Sequence, residues 1–222
     1  MYEPSYQGTA YQSLPLNQNH SMNERYLYSA FKTYRHAFEC YPKLLMFHAT
    51  LRFPANYQGN TGGVMSNFTR SLSERIQRDL DKRSSLVDRV HPTNVHYVWC
   101  REVSKDLKDH YHIVIMVNAN SYRALGCFKQ PHKHHLAGMI AHSWASAIGI
   151  PISESSGLVH FADEVKIFKT RQLSHYENAS VYGNFESSYE EGFYWLSYLC
   201  KVTDKRYGDG FRNFGTSQVR SW

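Results

Sequence analysis

Two strand-forming runs joined by a short polar turn are the feature that most constrains this chain. Residues 95–103 (VHYVWCREV) and 110–118 (HYHIVIMVN) are rich in Val, Ile, Tyr and Trp, and the polar residues SKDLKD connect them. This pattern predicts a β-hairpin. Side chains of a strand alternate between its two faces, so the register of the hairpin decides which side chains meet.

The predicted hairpin brings together three side chains that can bind a metal ion. His110 and His112 lie on one face of the second strand, and a turn centred near Asp106 places Glu102 opposite His110 and Cys100 opposite His112. Two imidazoles and a carboxylate leave coordination positions open, as catalytic divalent-ion sites do. Ordinary hydrogen bonds would also satisfy a strand histidine, but burying a carboxylate beside two imidazoles without a cation is costly. We therefore predict a divalent-ion site at Glu102, His110 and His112.

A helix far downstream carries a second group of reactive side chains. A capping box that begins at Ser188 predicts a helix running to about Val202. On that helix Tyr194, Tyr198 and Lys201 are spaced i, i+4, i+7 and share one face. The other face is predicted to pack in the core through Tyr189, Phe193, Leu196 and Cys200. Tyrosines and lysines at this spacing can also simply cover surface.

The histidine pair followed by a Tyr-x-x-x-Tyr-x-x-Lys helix resembles the HUH endonucleases that initiate rolling-circle replication. The paired tyrosines are similar to those of the gene A proteins of isometric single-stranded DNA phages. The segments YVWCREVSKDLKDHYHIVIMVN, GLVHF, FYWLSYLCK and KRYGDGFRNFG resemble the inovirus Gp2 family, which also occurs in bacterial prophages. This resemblance spans roughly Tyr41 to Gly215.

The order of strands and helices lacks a repeating β-α rhythm, which favours an α+β fold. The resemblance implies a central antiparallel β-sheet with helices packed mainly on one face and the tyrosine helix close to the histidines. One domain of moderate size accounts for 222 residues. We expect a flexible or loosely packed arm at residues 1–22, an endonuclease domain at residues 23–215 and a C-terminal tail at residues 216–222.

Hydrophobic periodicity predicts the other elements. They are helices at residues 23–40, from Ser66 or Asn67 onward, at 119–128 and at 136–148, a buried strand at 44–53, a short strand at 158–161, and an irregular excursion at 162–186. His48 lies on the strand at residues 44–53 and is interpreted as structural. The histidine-rich loop at residues 131–135 is not expected to bind a second ion, because adjacent loop residues rarely converge on one metal.

The charge balance favours a polyanionic partner. The chain has 25 Lys+Arg against 19 Asp+Glu, a net charge of +6, and 17 Tyr that can stack on unpaired bases. Its predicted DNA-binding residues are Lys166, Lys169 and Arg171 in the irregular excursion, and Arg206 and Arg212 in the C-terminal segment. The resemblance implies single-stranded origin DNA as the partner, together with the host helicase and replication machinery.

The resemblance also implies a mechanism. A free tyrosine has a pKa of about 10, so its attack on a phosphodiester at neutral pH requires charge compensation. A divalent ion, Mg²⁺ or Mn²⁺, would polarise the phosphate, and Lys201 would offset charge on the phenolate. Tyr198 is the predicted first nucleophile, since it completes the Tyr-x-x-Lys spacing, and Tyr194 is the predicted second one. The product is a 5′-phosphotyrosyl link with a free 3′ hydroxyl that primes synthesis.

Other functions remain open at this point. A prophage DNA-binding regulator would be equally basic and aromatic but would not need the histidines, and a metal-dependent hydrolase would keep the histidines and use water. A transposase or a relaxase-like nickase of the same superfamily is the nearest alternative. The four cysteines show no CxxC spacing, and no stretch approaches a membrane span, so we expect a protein of the bacterial host cytoplasm with no membrane partner.

Overall fold

A five-stranded antiparallel sheet forms the centre of the computed structural model, which describes residues 5–17, 19–127, 134–169 and 188–219. The helices in these residues are α1 (Glu24–Cys40), α2 (Val64–Ser84), α3 (Leu136–Ile148) and α4 (Ser188–Ser197). The strands are β1 (Ser5–Tyr6), β2 (Ala10–Tyr11), β3 (Leu14–Pro15), β4 (Met22–Asn23), β5 (Lys43–Arg52), β6 (His96–Val103), β7 (Asp109–Asn118), β8 (Val159–Lys169) and β9 (Phe214–Thr216). The predicted α+β class is confirmed.

The predicted hairpin is the pair β6–β7, and its register is the predicted one. Glu102 pairs with His110 and Cys100 pairs with His112. Leu107 takes a positive φ of 58° in the connecting turn, which closes the hairpin. The central sheet has the strand order β8-β5-β7-β6-β9, so the histidine strand lies in the middle and β5 lies beside it, as predicted.

Helices cover both faces of this sheet, and the prediction that they pack mainly on one face is wrong. Helices α2 and α3 cover one face, where they meet side chains such as Leu45 and Ile113. Helices α1 and α4 cover the other, where they meet Leu44 and Val114. Strands β5 and β7 are apolar at consecutive positions, so each face exposes hydrophobic area that a helix must bury.

Helices α1 and α3 begin where the sequence predicts. Helix α1 begins after Asn23, whose side chain accepts a hydrogen bond from the Tyr26 backbone N–H at 3.1 Å. Helix α3 begins at Leu136 and stops at Gly149, whose φ of 74° a glycine adopts without strain. Helix α2 instead starts at Val64, before the predicted caps Ser66 and Asn67, because Gly63 supplies the turn with a φ of 75°.

The helix predicted at residues 119–128 is absent from the described part of that segment. The Asn118 carbonyl accepts hydrogen bonds from the N–H groups of Ser121 and Tyr122, and its side chain accepts one from Asn120. These bonds hold a turn in place of a helix. Ser188 is the first residue of α4, and a 3₁₀ turn at Tyr198–Cys200 follows the helix before the predicted end near Val202.

Strand β8 extends well beyond the predicted residues 158–161. It pairs with β5 antiparallel, but its register shifts between Phe47, which faces Val165, and Ala49, which faces Phe161. The extra β8 residues form a bulge beside His48. The predicted irregular excursion is therefore strand up to Lys169, and residues 170–187 lie outside the described part of the chain.

The N-terminal segment packs more closely than its polar composition predicts. Strands β1 and β4 pair with each other, as do β2 and β3, and three apolar side chains are buried: Leu14, Leu16 and Met22. The Val202 N–H donates a hydrogen bond to the Ser21 carbonyl at 3.0 Å, which joins this segment to the end of the tyrosine helix. Among the described residues, no helix has both the length and the apolar character that crossing a membrane requires.

Candidate active site

The predicted ligands converge on the sheet face that α1 and α4 cover. One ligand atom from each of Glu102, His110 and His112 lies within 4.8 Å of the other two. The Nε2 atoms of the two histidines are 3.2 Å apart. At a metal–nitrogen distance of about 2.1 Å this spacing corresponds to an angle of about 100° at the ion, which octahedral and tetrahedral sites both accept. Burial and the neighbouring His112 lower the pKa of His110, so its imidazole is neutral at pH 7 and has a lone pair to offer.

Two groups from β5 contact the inner nitrogen of His112. The Thr50 hydroxyl and the Nε2 atom of His48 each lie 3.1 Å from His112 Nδ1. A proton on Nδ1 can be donated to either of them, which leaves Nε2 free to bind a cation. Burial and the nearby His112 lower the pKa of His48 to about 4, so His48 is neutral at pH 7 and can accept that proton. The structural interpretation of His48 missed this contact.

Two lysines contact the third predicted ligand, Glu102, which is 3% exposed. Lys205 Nζ lies 2.9 Å from Oε1, Lys201 Nζ lies 3.2 Å from Oε2, and His112 Nε2 lies 3.5 Å from Oε2. Burial raises the pKa of Glu102, but the contacts with His112 and Lys205 outweigh it and hold the pKa well below its usual range. The carboxylate is therefore ionised, and part of the cationic compensation comes from the protein itself.

Lys201 also connects the carboxylate to the predicted nucleophile. Its ammonium donates to the Tyr198 hydroxyl at 3.0 Å and to Asp204 at 2.8 Å. Burial lowers the pKa of Lys201, but the bonds to Asp204, Tyr198 and Glu102 raise it above its usual range, so the side chain is charged at pH 7. A continuous path of contacts thus runs from the Tyr198 phenol through Lys201 and Glu102 to His112.

Both tyrosines of the predicted pair line one cavity of about 450 Å³, which we call the tyrosine cavity. His48 of β5 and Ala162 of the β8 bulge line it as well. The remaining lining residues are Asn17, Met46, Phe47, Val114, Trp195 and Leu199. The cavity is therefore mainly apolar, and its polar lining residues are Asn17, His48 and the two tyrosines.

The predicted DNA-binding residues whose side chains the structure describes do not form one patch. Lys166 forms an ion pair with Glu191 and its ammonium lies 3.7 Å from the centre of the Trp195 ring, beside the tyrosine cavity. Lys169 is the last residue of β8, and Arg171 lies outside the described residues. Arg206 and Arg212 contact other parts of the molecule.

Arg206 and Arg212 follow the lysines that contact Glu102. Arg206 donates to the Leu107 carbonyl at 3.0 Å and lies beside the β6–β7 turn. Arg212 donates to the Ser66 hydroxyl at 3.4 Å and lies near the start of α2. The two side chains therefore contact different parts of the molecule.

Sequence reasoning missed Lys205, whose side chain is fully buried against the carboxylate of Glu102. A lysine in the segment KRYGDG is expected at the surface, and no local sequence pattern predicts its burial. Only the approach of the chain after α4 to strand β6 brings it there: the Val103 N–H donates to the Asp204 carbonyl at 2.8 Å.

Residues 7–217 match the family model described as the YagK/YfjJ C-terminal domain. The chain is similar to uncharacterized protein YfjJ of Escherichia coli (strain K12), with 34% identity over 159 residues that cover 70% of this chain and 71% of that protein. It is similar to uncharacterized protein YagK of the same strain, with 29% identity over 188 residues that cover 81% and 85%. No solved structure matches it. The chain belongs to the YagK/YfjJ C-terminal domain family.

Proposed function

We propose that this protein is a metal-dependent tyrosine endonuclease that nicks and rejoins single-stranded DNA, as an HUH-type initiator of phage or prophage rolling-circle replication. The observation that carries the proposal is the path of contacts from the Tyr198 phenol through Lys201 and Glu102 to His112. A histidine cluster alone is compatible with many functions. A phenol held beside it by a charged lysine fits a nucleophile aimed at a phosphate.

The donor set fits a divalent cation. The imidazoles of His110 and His112 direct nitrogen atoms 3.2 Å apart at each other, and Glu102 supplies an ionised oxygen beside them. His110, His112 and Glu102 would hold Mg²⁺ or Mn²⁺, and the ion would supply Lewis-acid polarisation of the scissile phosphate. Lys201 shares Glu102 Oε2 with His112 and donates to the Tyr198 hydroxyl, so its ammonium would offset negative charge on the phenol oxygen and on the phosphate.

In the proposed step the Tyr198 oxygen attacks the phosphorus, the O3′–P bond breaks, and the 5′ phosphate stays on the tyrosine. The phenol proton passes to solvent, and the departing 3′ oxygen takes up a proton. The Lys201 ammonium donates a hydrogen bond to the attacking oxygen and stabilises its negative charge. Attack by a 3′ hydroxyl on the phosphotyrosine reverses the reaction and rejoins DNA without ATP.

Tyr194 is the proposed second nucleophile. It lies one helical turn before Tyr198 and lines the same cavity. One tyrosine can hold the 5′ end while the other cuts the regenerated origin. Termination of a replication round requires this second cut.

The test is a search for a covalent adduct. The protein is incubated with Mn²⁺ and a pool of labelled single-stranded oligonucleotides of random sequence, and DNA that stays on the protein in SDS is recovered and sequenced. We expect an adduct with enriched sequences, no adduct with EDTA, and no adduct from Tyr198→Phe or His112→Ala. Tyr194→Phe leaves the first adduct largely intact.

Tyr207→Phe serves as the matched control, because Tyr207 is 45% exposed and its hydroxyl donates to the Val202 carbonyl. This variant is expected to form the adduct at the wild-type yield. Cut DNA without an adduct would assign the chain to the hydrolases. DNA binding that is insensitive to EDTA, without cleavage, would assign it to the regulators.

A further inference from the structure

A second cavity, of about 510 Å³, opens where β5 ends and β7 begins, and we call it the hairpin cleft. His110, one of the predicted metal ligands, lines it directly. The other lining residues are Arg52, Phe53, Pro54, Ala55, Tyr57, Thr61, Ser104, Asp106, Leu107, Lys108, Asp109 and Arg206. The candidate metal site is thus open to a cleft that the proposed mechanism does not yet use.

The cleft has the chemistry of a surface for unpaired nucleotides. Phe53 and Tyr57 stack with ring centroids 4.8 Å apart and 23° between their planes. Arg52 and Lys108 are exposed, and within the described part of the chain the Arg52 guanidinium has no hydrogen-bond or ion-pair partner. Grooves for single-stranded DNA combine cationic groups for the phosphates with aromatic rings for the bases.

The acidic side chain nearest to His110 in sequence is already neutralised. Asp109 accepts a hydrogen bond from the buried Arg101 at 3.1 Å, and Arg206 lies 3.7 Å from its other oxygen. The cleft therefore presents positive charge from Arg52 and Lys108, with Asp106 as its one acidic lining residue left without such an ion pair. Charge complementarity favours a polyanion as the occupant.

The two cavities lie at opposite ends of the candidate metal site. Along β5, His48 lines the tyrosine cavity, Thr50 contacts His112, and Arg52 lines the hairpin cleft. Four strand residues cover about 13 Å, which is close to the length of two nucleotides of an extended strand. The scissile phosphate at His110 and His112 would therefore have one cavity on each side.

We propose that the hairpin cleft binds the nucleotide on the 5′ side of the scissile phosphate, the one that leaves with the free 3′ hydroxyl. This inference rests on the proposed function. Displacement at phosphorus places the attacking and leaving oxygens roughly in line. Tyr198 attacks from the tyrosine cavity, so the O3′ atom that departs from phosphorus points towards the hairpin cleft. The base of the nucleotide that carries this O3′ atom then contacts the stacked rings of Phe53 and Tyr57.

The experiment is photo-crosslinking with the Tyr198→Phe protein, which does not cut. Oligonucleotides found in the adduct search are made with one 5-iododeoxyuridine on the 5′ or the 3′ side of the nick, irradiated with Mn²⁺ present, and the attached peptide is identified by mass spectrometry. The 5′-side probe is expected to attach at Phe53 or Tyr57, and the 3′-side probe elsewhere. Attachment of the 5′-side probe to the peptide of Tyr194 and Trp195 would overturn the inference while leaving the nickase intact.

Binding of an oligothymidylate, followed by fluorescence anisotropy, tests the cleft even if no adduct is ever found. Arg52→Gln and Tyr57→Ala are each expected to weaken binding about five- to tenfold, in line with the loss of one phosphate contact or one stacked base. Tyr28→Ala is the matched control, because Tyr28 is 55% exposed on α1 with Lys32 over its ring and is expected to bind like the wild type. If both cleft variants bind the oligothymidylate as tightly as the wild type, the inference is wrong.

Discussion

The two faces of the central sheet differ in what they bury. The face under α2 and α3 buries an extended apolar cluster, in which Phe68 and Trp144 pack edge to face with ring centroids 5.9 Å apart. On the same side of β6, Arg101 is buried in ion pairs with Asp109 and Asp209. The face under α1 and α4 buries Glu102, Lys201 and the fully covered side chain of Lys205 next to its apolar core. Burying these charges costs free energy, which the apolar packing on both faces offsets.

This difference predicts where stability and activity separate. Substitutions under α2 and α3 act through lost packing, whereas substitutions under α1 and α4 act through unpaired charge and protonation.

Trp144→Ala is expected to lower the free energy of unfolding by about 3–5 kcal/mol, because it leaves a cavity in the apolar cluster. It also removes the indole N–H that donates to the Arg52 carbonyl at 2.7 Å. Trp195→Ala makes the same deletion on the other face, where the side chain already borders the tyrosine cavity, and is expected to cost less than half as much. Urea unfolding followed by circular dichroism measures both. Equal losses would show that the two faces do not differ in packing.

Lys205→Met is expected to lower the free energy of unfolding by about 3 kcal/mol, because Glu102 loses one of its two ammonium partners in a buried site. Adding Glu102→Gln should recover part of that loss, since the second substitution removes the uncompensated charge. Lys105→Met, at an exposed position in the β6–β7 turn, is the control and should stay within about 0.5 kcal/mol of the wild type. A Lys205→Met protein as stable as the control would contradict the ion-pair account.

Acidification is expected to weaken the face that carries His48. The folded-state pKa of His48 is about 4, below the value of about 6.5 in an unfolded chain. Its contribution is fully present above pH 6.5 and is lost as the pH falls towards 4, since the unfolded chain then binds the extra proton. We expect a loss of about 1–2 kcal/mol between pH 7 and pH 5.

Unfolding of His48→Gln at the same two pH values isolates this effect, and its pH dependence should be flatter than that of the wild type. Trp144→Ala should keep the wild-type slope, because the cluster that it disrupts contains no group that titrates in this range. An unchanged slope in His48→Gln would place the titrating group elsewhere.

The sequence predicted the parts of the site that depend on local periodicity. Alternation along two strands and one turn was enough to pair Glu102 with His110, and helical spacing was enough to bring Tyr198 towards Lys201. Both predictions need only the period of one element and the geometry of one connection.

The remaining contacts depend on how distant segments align. His48 reaches His112 through the register of β5 against β7, and Lys205 reaches Glu102 through the return of the chain after α4. Helices lie on both faces because β5 and β7 expose apolar side chains on both faces. A resemblance between short motifs gives no information on this apolar area. The start of helix α2 was also missed, because the backbone angle of Gly63 rather than a capping side chain begins this helix.

The register shift of β8 beside His48 has an evolutionary consequence. An edge strand can gain or lose residues at such a point without disturbing the pairing of the inner strands that hold the ligands. Ala162, within the bulge, forms part of the wall of the tyrosine cavity. Insertion or deletion of residues in this bulge can therefore change the width of that chamber while the inner strands that carry the histidines stay in register.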